Sequence, residues 1–239
     1  MNTPVELIAW AAGLYDGEGS ASTYVPELGR MPRRQMQVSQ GGKGTLPIVL
    51  VRFREIVGHG NITGPYRGYL YYWKTTRKSC IDETAESLWP YLSDAKRFQL
   101  QSASLAAGRA SPVTPLARDH DTEAAWAAGL FDAEGSFWLT KDDRYRPDWR
   151  GVSMELAQST RGDVPETLRR FHAAVAVGHI SGPRTLKSPW TKLPQYRWQV
   201  SGRHQVSGAV HVLWPWLSAV KRIQIAAARA HLNVEIDLS

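Results

Sequence analysis

Two acid pairs stand out by type and spacing, Asp16-Gly17-Glu18 and Asp132-Ala133-Glu134. Each follows an apolar run rich in small residues, and each is followed at once by Gly-Ser. Small residues let one helix approach another closely, and glycine is the usual residue for stopping a helix, so each pair ends a helix. The free carbonyls of a helix C-terminus carry partial negative charge. Two carboxylates brought side by side at two such ends would make a strongly negative spot, costly alone and well matched to divalent cations with oxygen ligands. A lone acid at a helix end is commonly just solvated. The same acid at the same place in two copies asks for a shared reason.

The copies extend well beyond the acids. The stretch from Trp10 to Ser20 recurs from Trp126 to Ser136, identical at nine of eleven positions, with Tyr15 against Phe131 and Gly17 against Ala133 as the exceptions. Met36-Gln37-Val38-Ser39-Gln40 returns as Met154-Glu155-Leu156-Ala157-Gln158, and Arg52-Phe53 as Arg170-Phe171. Asn61-Ile62-Thr63-Gly64-Pro65 returns as His179-Ile180-Ser181-Gly182-Pro183, and Tyr71-Tyr72-Trp73 as Tyr196-Arg197-Trp198. Leu88-Trp89-Pro90-Tyr91-Leu92-Ser93, with Lys96 and Gln99 after it, returns as Leu213-Trp214-Pro215-Trp216-Leu217-Ser218, with Lys221 and Gln224. The offset grows from 116 to 118 to 125, so the second copy has longer loops, chiefly around Thr185 to Pro194. A repeat of this size is a duplicated domain and not a solenoid. The expected division is a first repeat over 1–107, a linker over 108–122 containing Ser111-Pro112 and Thr114-Pro115, and a second repeat over 123–239.

The elements that must position the acids follow from pattern. The first helix starts at Thr3-Pro4 and runs to about Asp16. Ser20 to Tyr24 and Gln35 to Gln40 read as strands, the latter by alternation. Helical spacing predicts a helix over Thr45 to Val57, ended by Gly58-His59-Gly60. A hairpin around Arg67-Gly68 joins Asn61–Pro65 to Tyr69–Thr75. A helix over Asp82 to Leu92 and another, capped by Ser93 and running through Arg109, complete the copy.

Composition narrows the partners. The chain has 239 residues, 43% of them hydrophobic, enough for a packed core, and a net charge of +7, which favours a polyanionic partner, nucleic acid before membrane. Cys80 is the only cysteine, which excludes an internal disulfide and a cysteine-based zinc site. No apolar run approaches the ~20 residues of a membrane span. No targeting segment is visible, so a cytoplasmic protein is expected.

The two motifs, their spacing and the element order of both halves resemble the LAGLIDADG homing endonucleases in their single-chain, two-repeat form, over essentially the whole chain. The resemblance implies an α+β fold of two pseudo-symmetric αββαββα repeats. Their antiparallel sheets would form a DNA-binding saddle, with the motif helices packed at the interface. It implies a monomer, often intron-encoded, that hydrolyses both strands of a long asymmetric duplex across the minor groove. Glu18 and Glu134 would be the metal ligands, where many members have Asp, with Gly17 and Ala133 as backbone neighbours of the ions. Two or three Mg²⁺ ions are implied, replaceable for binding by Mn²⁺ or Ca²⁺. By position, Gln40 and Gln158 fall near the metal-bound water, and Lys96 and Lys221 near the scissile phosphate. Asp16 and Asp132 orient the helix ends. His59 and His179 are read as structural or phosphate-contacting.

Strand alternation sorts the faces. Met36, Val38, Met154 and Leu156 face the core, as do Tyr71, Trp73, Tyr196 and Trp198. Gln35, Gln37, Ser39, Tyr72, Lys74 and Thr76 then face outward in the first half, and Ser153, Glu155, Ala157, Arg197, Gln199 and Ser201 in the second. Ser22, Tyr24, Trp138 and Thr140 of the first strands join this DNA-reading set. Gln suits adenine edges, Arg and Lys guanine, Glu cytosine. Arg33, Arg34, Arg77, Lys78, Arg144, Arg146, Arg150 and Arg203 are candidate phosphate contacts. Two other functions fit the same fold: an RNA-binding intron maturase and a DNA-binding protein that has lost cutting. An intein is not expected, because the chain opens with Met and closes without His-Asn.

Overall fold

The computed structural model describes residues 3–26, 30–42, 44–108, 118–142, 146–185 and 193–228, with 140–142 and 146–150 described by backbone alone. The first half runs α1 (Val5–Glu18), β1 (Gly19–Tyr24), β2 (Arg33–Gly41), α2 (Ile48–Val57), β3 (Asn61–Tyr66), β4 (Leu70–Thr75), α3 (Lys78–Leu88) and α4 (Asp94–Ala106). The second runs α5 (His120–Glu134), β5 (Gly135–Asp142), β6 (Arg146–Ser159), α6 (Glu166–Val175), β7 (His179–Arg184), β8 (Gln195–Ser201), α7 (Arg203–Leu213) and α8 (Ala219–Ala226). The strands form two antiparallel four-stranded sheets, ordered β1-β2-β4-β3 and β5-β6-β8-β7, so the α+β duplication expected from the sequence is the observed architecture. The predicted linker falls mostly on 109–117, outside the described residues; α5 begins at His120, with Asp119 and Thr122 bonded to each other around its start. No helix among the described residues is long and apolar enough to cross a membrane.

The chain packs into two compact units, Met1–Ala133 and Glu134–Ser239. The first unit thus holds α1 together with nearly all of α5. A side chain on Gly13 would meet the Trp126 carbonyl oxygen at 1.9 Å, and one on Gly129 would meet that of Trp10 at 2.0 Å. The two backbones touch where each helix has only hydrogen to offer, which is why both motifs need glycine there. Around this crossing Ala9, Ala11, Ala12, Leu14, Ala125, Ala127, Ala128 and Leu130 are fully or almost fully buried.

Each sheet turns one face to its own helices. Met36, Val38 and Trp73 are completely buried in the first unit, as are Met154, Leu156 and Trp198 in the second. Phe53 of α2 meets Trp73 edge-on at 4.9 Å, and Phe171 of α6 meets Trp198 at 4.8 Å, both at 73°. Each such phenylalanine contributes up to about 3 kcal/mol by burial. The indoles close the same loop in both units: Trp73 Nε1 donates to the His59 carbonyl at 2.8 Å and Trp198 Nε1 to that of Val177 at 2.9 Å.

Four helix limits differ from the sequence reading. α1 runs through both acids to Glu18, with the break falling at Gly19. α2 begins at Ile48, because Pro47 takes the cap position, and Leu46 is left outside and exposed. α3 covers Lys78–Leu88 and not Asp82–Leu92. Its polar first turn hid its start, and although Trp89 keeps helical angles and bonds Ala85, Pro90 has no N–H with which to extend the helix. α4 ends at Ala106 and not at Arg109.

Candidate active site

In the first unit the motif Asp and the motif Glu of α1 have separate tasks. Asp16 is buried and accepts from the Ser93 backbone N–H, at 3.1 and 3.0 Å to its two oxygens, and from the Ser93 hydroxyl at 2.7 Å. It also accepts from Trp126 Nε1 at 2.8 Å, while Trp10 Nε1 donates to Asp132 at 2.9 Å. Each motif tryptophan thus reaches across the helix crossing to the other motif's aspartate. Ser93 caps α4, its hydroxyl accepting from the Lys96 N–H at 3.3 Å. Asp16 therefore ties the end of α1 both to α5 and to the start of the helix that carries Lys96. The sequence reading gives these two tryptophans no task of their own. Their spacing of six residues ahead of the aspartate in both copies is the signal that could have revealed the strap.

Glu18 is half-buried at the last position of α1. Burial pushes its carboxyl up from the ordinary value, opposed by a hydrogen bond from the Ser39 hydroxyl at 3.1 Å and by the charge of Lys96. Lys96 Nζ donates to the carbonyl of Gly19, the residue after the acid, and stands 5.8 Å from the Tyr15 ring centre. Gln99, one turn further along α4, accepts from the Ala21 N–H at 3.2 Å, tying that helix to β1. Gln40 has the strand parity of Met36 and Val38, and its buried amide oxygen has no hydrogen-bond donor.

The second unit repeats part of this. Glu134 is the last residue of α5, half-buried, and Lys221 Nζ donates to the carbonyl of Gly135 as Lys96 does to Gly19. Ala157 stands where the first copy has Ser39, so no hydroxyl is offered from that position. Gln158 accepts from the Thr167 hydroxyl of α6, a bond that Val49 cannot make to Gln40. Gln224 is exposed.

The donor sets suit hard cations. Each unit offers a carboxylate at a helix C-terminus. Among the described residues no three His, Cys, Asp or Glu side chains cluster tightly enough to cage an ion. Mg²⁺ habitually takes one or two carboxylates and fills its other positions with water and phosphate oxygens, so so few protein ligands fit it.

The outward sheet faces carry most of the predicted readers. In the first unit β1 and β2 pair Ser22 with Gln35 and Tyr24 with Arg33, and β2 and β4 pair Gln37 with Lys74 and Ser39 with Tyr72. Gln35 donates to Ser22 at 2.9 Å, and Lys74 lies 6.0 Å from the Tyr24 ring centre. Thr76 is exposed just past β4. In the second unit Trp138 pairs with Ser153, Ser153 with Ser201, and Glu155 with Gln199. Gln199 contacts His179 at 3.2 Å. Arg34 is the exception. It shares the parity of Met36, is 7% exposed, and spends its guanidinium on Asp82 and on Ser104 at 3.1 Å. It holds β2 to α3 and α4, and its expected phosphate contact is corrected accordingly. Arg77, Lys78 and Arg203 are exposed at the starts of α3 and α7, with Lys78 3.7 Å from Asp82. Thr140, Arg146 and Arg150 are described by backbone alone, and Arg144 lies outside the described residues. His59 contacts Thr84 at 3.3 Å and reads as structural.

No protein-family model and no curated protein matches the chain. Solved structures do. The LAGLIDADG meganuclease I-AabMI bound to uncleaved DNA aligns at a TM-score of 0.63 and 15% identity, over 94% of this chain and 93% of that one. The LAGLIDADG homing endonuclease I-LtrWI bound to target DNA aligns at 0.59 and 12%, over 95% and 92%. I-SmaMI, bound to uncleaved DNA in the presence of calcium ions, aligns at 0.51 and 14%, over 94% and 93%. These likenesses establish the fold, the two-repeat α+β fold of the LAGLIDADG proteins.

Proposed function

We propose that this chain is a LAGLIDADG homing endonuclease, cutting both strands of a long asymmetric DNA site with the help of divalent metal ions. The observation that carries the reading is the repeated acid and lysine. In both halves a glutamate ends the motif helix, and a lysine from a later helix is bonded to the carbonyl of the next residue. The overall positive charge and the DNA-bound structures that share the fold point the same way.

Glu18 and Glu134 would hold the ions, Mg²⁺ in the working enzyme, with Ca²⁺ able to occupy the sites as it accompanies I-SmaMI. When bound, such ions neutralise phosphate charge and acidify water. The chain's own groups do the rest. Lys96 and Lys221, kept beside the motif by carbonyl contacts, stabilise the charge that develops on the phosphate. Gln40, which follows Ser39 at the end of β2, would orient a water near the ion. Sheet residues such as Gln37, Lys74, Gln199 and Ser201 contact base edges, and exposed basic residues such as Arg33 hold phosphates.

The test is cleavage of a plasmid library of random duplex inserts with Mg²⁺. The wild-type chain should linearise a defined subset. Glu18→Gln and Glu134→Gln should each lower the linear product by about 100-fold or more, the scale of lost transition-state electrostatics, while duplex binding persists. Normal cutting of both strands by both variants would overturn the proposal.

A further inference from the structure

On the outward face of the second sheet, three side chains form a group that has no counterpart in the first. Arg197 of β8 donates through Nη1 to Glu155 of β6 at 3.3 Å, and through Nε to Gln195, two residues back on its own strand, at 2.8 Å. Gln195 was not among the residues singled out from sequence. The register pairs Ala157 with Arg197 and Glu155 with Gln199, so the Arg197–Glu155 contact is a diagonal one across neighbouring strands.

A guanidinium has five hydrogens in a fixed plane. Two of them serve Glu155 and Gln195. Nη1 lies 3.3 Å from both Glu155 oxygens, and neither hydrogen of Nη2 is used among the described residues, so the outer edge of the guanidinium can meet the O6 and N7 acceptors of guanine in the major groove. Partly exposed ion pairs add little to stability. What this one does is fix the direction of a long, otherwise mobile side chain before any ligand arrives, which lowers the ordering cost of binding. Glu155 also has a reason to need Arg197, since an unpaired carboxylate on a DNA-facing surface repels phosphate.

The register also places the group along the sheet. Gly135 pairs with Leu156, and Leu156 with Trp198. Arg197 is therefore level with Glu134, two strands across, or roughly 10 Å at the usual strand spacing. The corresponding row of the first unit holds Ser39 and Tyr72, with the Tyr72 ring against Tyr66 at 5.6 Å and Leu70 at the position of Gln195. Arg67, at the hairpin turn, lines a pocket with Leu70 and Tyr72, but among the described residues no carboxylate and amide hold a guanidinium in that row as Glu155 and Gln195 hold that of Arg197.

We infer that Arg197, positioned by Glu155 and Gln195, reads a guanine in the major groove close to the cut, in the half of the target held by the second unit and in that half alone. The inference rests on the endonuclease reading. It is tested by binding, without cleavage. The full chain selects from a pool of random-sequence duplexes with magnesium withheld, and the bound sites are sequenced for wild type, Arg197→Lys and Glu155→Gln. Wild type should fix a guanine a few base pairs from the centre of one half-site. Arg197→Lys keeps the charge and loses the fork, so preference for that guanine should fall by about 5- to 100-fold while the other positions stay fixed. Glu155→Gln should weaken it by a smaller factor. A purely structural role would move the thermal midpoint or the whole profile, not one position. Selected sites whose profile Arg197→Lys leaves unchanged overturn this inference and leave the endonuclease reading standing. A pool from which no duplex is enriched removes both.

Discussion

Tyr15 and Phe131 hold the same place in two copies of one helix, and only the first carries a hydroxyl. That hydroxyl is buried without a partner, and burial together with the neighbouring Asp16 drives the phenol strongly towards its neutral form. Around it, everything that lets the two motif helices touch is present twice: Gly13 with Gly129, and Trp10–Asp132 with Trp126–Asp16. The surroundings of the acids are not. Glu18 has the Ser39 hydroxyl where the second copy has Ala157, and Gln40 lacks the partner that Thr167 gives Gln158. The outward rows differ again, Tyr72 against Arg197. What repeats is what two helices require in order to meet. What differs is what a ligand would feel, so the copies share a scaffold and offer two unequal surfaces to it.

The scaffold half of this comparison is the easiest to break. Gly13→Ala and Gly129→Ala each force a methyl group into the other helix's backbone, within 1.9 and 2.0 Å of a carbonyl oxygen. A flexible side chain could yield to that; a helix backbone cannot without opening the crossing. Each variant should lose about 3 kcal/mol or more in denaturant unfolding, and the two losses should be similar. If one glycine tolerated alanine while the other did not, the crossing would not be the symmetric contact described here.

That symmetry explains which parts of the molecule could be read from the chain alone. The duplicated motif, the strand parity of Met36, Val38, Met154 and Leu156, and the Ser93 cap all follow from local residue types, and the structure has them. At Arg34 strand parity outweighs charge: its place in β2 is a core place, made tenable by Asp82 and Ser104, which lie 48 and 70 residues away. The same distance problem hid the Ser39–Glu18 bond and the Gln195–Arg197–Glu155 group, since each depends on which strands pair and in what register. The end of α6 was illegible for a different reason. The left-handed residue that glycine supplies at Gly58 is supplied there by Ala176, at a φ of 56°.

A smaller effect is expected where the motifs themselves diverge. Tyr15→Phe removes a buried hydroxyl that has no hydrogen bond, and should raise stability by about 1 kcal/mol. Phe131→Tyr should cost at least as much, because Phe131 is fully buried. Urea unfolding of the two variants side by side checks the pair. A loss from Tyr15→Phe would mean that the hydroxyl has a partner after all, and the contrast between the copies at this position would vanish.

The smallest effect sharpens the contrast at the acids. The Glu18 carboxyl is held above its ordinary 4.5 by burial, so ionising it costs the folded state. With the folded value raised, the associated stability is fully present below the unfolded value and is lost as pH rises through the folded one. Ser39 limits that loss by donating to the carboxylate. Ser39→Ala, which makes the first copy like the second at this position, should therefore push the carboxyl higher and deepen the loss. Measured by denaturant unfolding without divalent ions, the variant and the wild type should diverge as pH rises above 4.5, and the gap should stop widening once the carboxyl is ionised in both. Glu18 is partly open to solvent, so screening keeps the final gap below about 1 kcal/mol. Calcium should narrow it, because an ion bound at the carboxylate stabilises the charged form that Ser39 otherwise supports. A gap that is constant with pH would mean that Ser39 acts only through packing, and the two acids would then differ less than their neighbours imply.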